Sequence, residues 1–150
     1  MSDKFIEVVY DKFVFKADSE CLYHKDECWV RREQKGVVVG ITDFLQKTSG
    51  DVAFVELPEV GSHLSQKDAA GIMETIKTTV TLLSPVSGDV TEINSSLYNE
   101  PQLLNSDPFG AGWLFRMVPD YWETESAGLM NAEAYVPVMK QKIDQELSKK

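Results

Sequence analysis

Apolar residues along this chain come mostly in short runs of strand length. Phe5, Val8, Val9, Phe13, Val14 and Phe15 are β-formers, and residues 4–20 predict a strand-like arm, folded as a hairpin. Cys28–Arg32 and Val37–Ile41 predict two strands around a turn at Glu33–Gly36. Thr42 then offers an N-cap to a short helix that stops near Ser49–Gly50. Further strands are predicted at Asp51–Leu57, Ala69–Ile76, Thr78–Leu83, Asp89–Ile93 and Trp113–Val118. Pro58, Pro85, Ser87 and Gly88 punctuate them. Asn99 or Glu100, ahead of Pro101, starts a short helix. The rhythm becomes helical only at the end. Asn131 is a plausible N-cap, and Tyr135, Val138, Met139, Ile143 and Leu147 then share one face. Pro137 falls within the first two turns of that helix.

Gly40-Ile41-Thr42-Asp43 precedes Gly50-Asp51-Val52, and Gly71-Ile72-Met73-Glu74 precedes Gly88-Asp89-Val90. This weak echo suggests two similar β units closing into one flattened barrel. The fold class expected is mainly β with α. At 150 residues the chain fits one domain with its own core. Its expected parts are an N-terminal extension over residues 1–20 and a C-terminal helix over residues 131–148.

Charge and composition narrow the chemistry. The net charge of −9 repels phosphate backbones and argues against nucleic-acid binding. No apolar run approaches the ~18 residues of a membrane span. The opening residues mix acids and lysines without the apolar centre of a signal peptide, so a cytoplasmic location is expected. Cys21 and Cys28, with His24 between them, do not follow a standard zinc spacing, and no metal is expected. Reduced thiols are the simpler reading. His24 and His63 are the two histidines, and neither sits in a nucleophile or triad motif. No Gly-rich phosphate loop is present. A catalyst with its own active site is therefore not expected.

Lys77 stands out by its setting, Met73-Glu74-Thr75-Ile76-Lys77-Thr78-Thr79-Val80. Stiff β-branched residues flank it on both sides. A lysine at the tip of a rigid hairpin projects its amine into water, as a swinging arm requires. By spacing alone a solvated turn lysine is the simpler reading.

Longer motifs bear on that choice. They are Gly40-Ile41-Thr42-Asp43, the run from Gly50 to Gly61, Glu74-Thr75-Ile76-Lys77, Ser84-Pro85-Val86-Ser87-Gly88, the run from Leu104 to Trp113, and Ala132-Glu133-Ala134-Tyr135. Through them residues 21–136 resemble the glycine-cleavage H-protein family. The resemblance implies a barrel-sandwich hybrid lipoyl domain with a helical C-terminus, and a lipoate amide on Lys77. It also implies that Glu74 and Gly88 mark the hairpin for a lipoate-attaching enzyme. A carrier subunit rather than an enzyme follows, and dihydrolipoamide dehydrogenase is an implied partner. A biotin carrier would have methionines beside its lysine where Ile76 and Thr78 stand, so biotin is less favoured, as is an unmodified adaptor.

The chain departs from that family in one segment. The family pattern Tyr-x-x-x-His-Glu-Trp reads Tyr23-His24-Lys25-Asp26-Glu27-Cys28-Trp29 here. Glu27 replaces the usual His and Cys28 the usual Glu. Thr81 stands where the family has an Asp four residues after the lysine. In H proteins that serve glycine cleavage, those two carboxylates help hold the amine-loaded arm in a cleft. Asp26, Glu27, Cys28 and Thr81 are therefore the candidate cleft residues. The chain is also similar to H-like lipoate-binding proteins of the sulfur-oxidising heterodisulfide-reductase-like system. Shared features are Glu74-Thr75-Ile76-Lys77-Thr78-Thr79, Asp120-Tyr121-Trp122, the N-terminal extension and the longer C-terminal helix. On sequence alone, a carrier of sulfur-bound intermediates in that system is the first reading. A glycine-cleavage carrier of an aminomethyl group is the alternative.

Overall fold

The fold was read from a computed structural model, which describes residues 4–147. Residues 1–3 of the expected extension and Ser148 of the expected helix lie outside the described residues. The strands are β1 (Phe5–Tyr10), β2 (Phe13–Asp18), β3 (Leu22–His24), β4 (Cys28–Glu33), β5 (Gly36–Ile41), β6 (Val52–Glu56), β7 (His63–Leu64), β8 (Ala69–Thr75), β9 (Thr79–Leu83), β10 (Gly88–Ile93) and β11 (Phe115–Pro119). The helices are α1 (Asp43–Ser49), α2 (Leu103–Ser106), α3 (Trp122–Ser126) and α4 (Ala132–Leu147), with a 3-10 turn at Ser95–Tyr98.

Strands β3-β4-β5-β11-β10-β7 form a six-stranded sheet, and β6-β8-β9 form a three-stranded one. One apolar core joins these two sheets, with Val39, Ile41, Val55, Met73, Leu82, Val90, Phe115 and Met117 in it. Mainly β structure with a C-terminal helix is thus the architecture, as the strand spacing predicted. The two Gly-Asp-Val runs of the echo lead into β6 and β10, and place Val52 and Val90 in that core.

A second core lies on the other side of β5. Because side chains alternate along a strand, Val37, Val39 and Ile41 face the first core while Val38 faces the second. Gly40 shares the second face and pairs with Trp29. A Cβ on Gly40 would collide with the Trp29 indole ring. The missing side chain is what lets that ring lie flat against the sheet. The β1–β2 hairpin and α4 close this second core with Val8, Phe15, Ala17, Tyr135, Met139 and Ile143. The hairpin turns at Asp11 and Lys12, where Asp11 takes a φ of 57°.

Helix caps follow the sequence. The Thr42 hydroxyl accepts from the Leu45 N–H, and Asn131 Oδ1 accepts from the Ala134 N–H at 2.8 Å. Elements with few residues were missed by periodicity: β3, β7, α3 and the 3-10 turn. The helix expected before Pro101 begins later, at Leu103. Among the described residues, no helix is long and apolar enough to cross a membrane.

Candidate functional site

Strands β8 and β9 pair antiparallel as far as Glu74 opposite Thr79. Four residues, Thr75–Thr78, then reverse the chain. The Thr75 N–H donates to the Thr78 carbonyl at 2.8 Å. The Thr75 hydroxyl accepts from the N–H groups of Lys77 and Thr78, at 3.2 and 3.0 Å, and donates to the Thr78 carbonyl at 3.2 Å. One side chain therefore satisfies the turn's own backbone. A further tie comes from the Ile76 N–H, which donates to the Asp51 carbonyl at 3.3 Å. Lys77 is the third residue of this turn and is exposed, while Ile76 beside it is 80% exposed. The stem of Lys77 passes Gly50 at the end of α1. Thr75 is a positioning residue that sequence reading did not single out. Its signal was present: a threonine two and three residues ahead of N–H groups that no strand partner can satisfy.

The recognition candidates separate. Glu74 is exposed beside the hairpin tip. Gly88 is buried as the first residue of β10, between Leu64 of β7 and Pro119 of β11. A Cβ there would collide with the Val118 carbonyl oxygen. Gly88 is thus required by close packing of backbone on backbone, in place of the turn expected from sequence.

Of the four cleft candidates, Glu27 and Cys28 are buried and Asp26 and Thr81 are exposed. Asp26 is exposed and answers to His24, whose Nδ1 accepts from the Asp26 N–H at 3.1 Å. The Asp26 carboxylate lies at the same distance from that nitrogen, which would need a protonated ring. Burial lowers the His24 pKa, with Asp26 opposing it, so the neutral acceptor is the state favoured. Glu27 is buried with a φ of 69°. Its Oε1 accepts from the Thr42 hydroxyl at 2.7 Å and from the Tyr135 hydroxyl, and its Oε2 pairs with Lys142 at 2.6 Å. Burial, reinforced by Glu27, pushes the Tyr135 phenol up, so it stays a donor. Glu27 is a structural pin between the β3–β4 turn, the start of α1 and α4. Cys28 is 4% exposed, and burial, with Asp26 and Glu27 next in order, raises its thiol pKa. A protonated, covered thiol is neither nucleophile nor ligand. Thr81 is exposed, but on the other sheet, opposite Ile72.

Cys21 and Cys28 are free thiols, both buried, with Cys21 pushed up to about 12 chiefly by burial. Among the described residues, no group of three or more His, Cys, Asp and Glu is placed to hold a metal ion.

Two antiparallel sheets closed on one core, with a lysine exposed on a self-locked hairpin, make a domain of the barrel-sandwich class. Comparison with known proteins makes the family specific. The family model for glycine cleavage H-protein matches residues 21–142. The glycine cleavage system H protein of Mycobacterium avium is 50% identical over 117 residues, covering 75% of this chain and 89% of the relative. That of Coxiella burnetii is 43% identical over 118 residues, covering 78% and 90%. The crystal structure of the Mycobacterium marinum H protein superposes with a TM-score of 0.74 at 32% identity, covering 81% of this chain and 98% of the other. The chain belongs to the glycine-cleavage H-protein family. Its cofactor class is lipoate held covalently on a lysine, and the protein is a carrier rather than a catalyst.

Proposed function

We propose that the chain works as a single cytoplasmic lipoyl-carrier domain with lipoate amide-linked to Lys77. The observation that carries this is the exposed lysine in a turn locked by Thr75, within a chain of this family. When bound, the dithiolane supplies disulfide–dithiol exchange and carriage of a group on sulfur. The residues of the chain supply position. Thr75 and the Asp51 carbonyl fix the root of the arm at the tip of the β8–β9 hairpin.

Glu74, exposed beside the tip, is the residue placed to guide the lipoate-attaching enzyme. Glu74→Ala should slow lipoylation while changing stability by no more than about 0.5 kcal/mol. Gly88→Asn should act on the fold instead, costing about 2–3 kcal/mol because the new side chain meets backbone. Denaturation curves and initial lipoylation rates, measured together, check both. Unchanged lipoylation in Glu74→Ala removes that residue from recognition.

For the pathway, glycine cleavage has the better support. The matched family model and the relatives named above are glycine cleavage H proteins. This reverses the order read from the sequence, where sulfur oxidation stood first. None of those relatives supports the heterodisulfide-reductase-like reading. One observation keeps it as the second: Cys28 and Thr81 supply no carboxylate where the resemblance expects two, and Glu27 is already committed. The lipoylated chain should accept glycine-dependent loading by glycine-cleavage enzymes within about tenfold of an ordinary H protein. Two lost charged hydrogen bonds, at roughly 1.5–3 kcal/mol each, would instead cost about 100-fold or more. A deficit of that size moves the arm to sulfur chemistry.

A further inference from the structure

Beside Lys77 the structure holds a cavity of about 300 Å³, lined by Phe13, Phe15, Lys47, Thr48, Lys77, Glu146 and Leu147. That volume is at the small end of ordinary ligand pockets, which run from ~300 to ~1,000 Å³. Phe13 and Phe15 come from β2, Lys47 and Thr48 from α1, and Glu146 and Leu147 from the last turn of α4. Phe13, Phe15, Glu146 and Leu147 lie outside residues 21–142, the span that the family model matches.

The burial pattern of β2 singles out this place. Phe13, Phe15 and Ala17 point to the same, inward face of the hairpin. Phe15 and Ala17 are buried, but Phe13 is 43% exposed. An inward aromatic side chain is thus left half-covered at a cavity that the arm lysine also lines. Lys47 adds little free charge, since its ammonium is paired with Asp43 at 2.8 Å and lies 5.7 Å from the Phe15 ring centroid.

We propose that this cavity is a resting dock for the lipoyl arm of the same chain, with the dithiolane against Phe13, Phe15 and Leu147. The inference rests on the assignment of lipoate to Lys77. The occupant follows from the wall itself. Lys77 lines the cavity, so an arm attached there reaches it by folding back, at the high effective concentration of an intramolecular ligand. The apolar chain and ring of the lipoyl group match the two phenylalanines and Leu147, and burial removes that surface from water. The arm of this chain thereby rests on its own extension and helix end, away from the buried Glu27 and Cys28.

The full-length chain, unmodified and lipoylated, tests this by NMR and intact mass. Lipoylation should shift the resonances of Phe13, Phe15 and Leu147 together with those of the hairpin. Phe13→Ser on the lipoylated chain should speed reduction of the dithiolane by a water-soluble phosphine about threefold or more, since one aromatic contact is lost. Phe13 is half-exposed, so that change leaves the core in place. A complete adduct on Lys77 with shifts confined to Ile76–Thr78, or equal reduction rates in the variant, overturns the dock alone. Absence of any adduct on Lys77 overturns the carrier assignment and the dock with it.

Discussion

Lys77→Ala is expected to remove the lipoyl adduct completely and leave the fold unchanged. The reason lies in how the turn is held. Its hydrogen bonds come from the Thr75 hydroxyl, the Thr75 and Thr78 backbone and the Asp51 carbonyl, and none uses the lysine side chain. The side chain is exposed, so its removal should change stability by no more than about 0.5 kcal/mol. Lys77→Arg is the sharper control. It keeps the charge and length but cannot form the same amide. Intact mass after exposure to a lipoylation system should show one adduct on the natural chain and none on either variant. An adduct that persists, carried by another lysine such as Lys47 or Lys67, would refute the site assignment.

Glu27→Ala should have the largest effect on stability, with little direct effect on the arm. Its carboxylate accepts from Thr42 and Tyr135 and pairs with Lys142, which also donates to the Lys25 carbonyl at 2.7 Å. Truncation leaves two buried hydroxyls without their acceptor and breaks a largely covered ion pair. The expected cost is about 3 kcal/mol, or roughly 6–12 °C in Tm for a chain of this size. Tyr135→Phe should cost less, about 1 kcal/mol, because the carboxylate keeps two of its three partners. Urea unfolding of both variants provides the check. A Glu27→Ala cost under about 1 kcal/mol would show that the pin contributes little. Lipoylation of the folded fraction should proceed normally, which separates this residue from the arm machinery.

Much of the β framework was legible in the chain. The strands at Cys28–Glu33, Gly36–Ile41, Thr79–Leu83 and Gly88–Ile93 fall within a residue or two of their periodic runs. Thr42 and Asn131 cap where their side chains suggested. The two-residue strand β7 has no period to read, and its pairing with Gly88 and Asp89 is decided by β10. Gly88 reads as punctuation because a sequence cannot distinguish a turn glycine from one packed under a neighbouring carbonyl. Glu27 and Cys28 read as cleft residues by alignment with a motif. Burial gave them other roles.

By itself the sequence determined the hairpin, the lysine at its tip and the family to which they belong. These are local properties: β-branched flanks, a threonine two residues before the lysine, and ordered motifs along one stretch of chain. Only the tertiary structure decided what surrounds the arm. It buried Glu27 among Thr42, Tyr135 and Lys142, sealed Cys28, and brought Phe13, Leu147 and Lys77 to the lining of one cavity. Those residues are far apart in sequence, and no local propensity couples them. Their meeting follows from closing the second core, where the β1–β2 hairpin and α4 pack over Trp29 and Val38 to remove apolar surface from water.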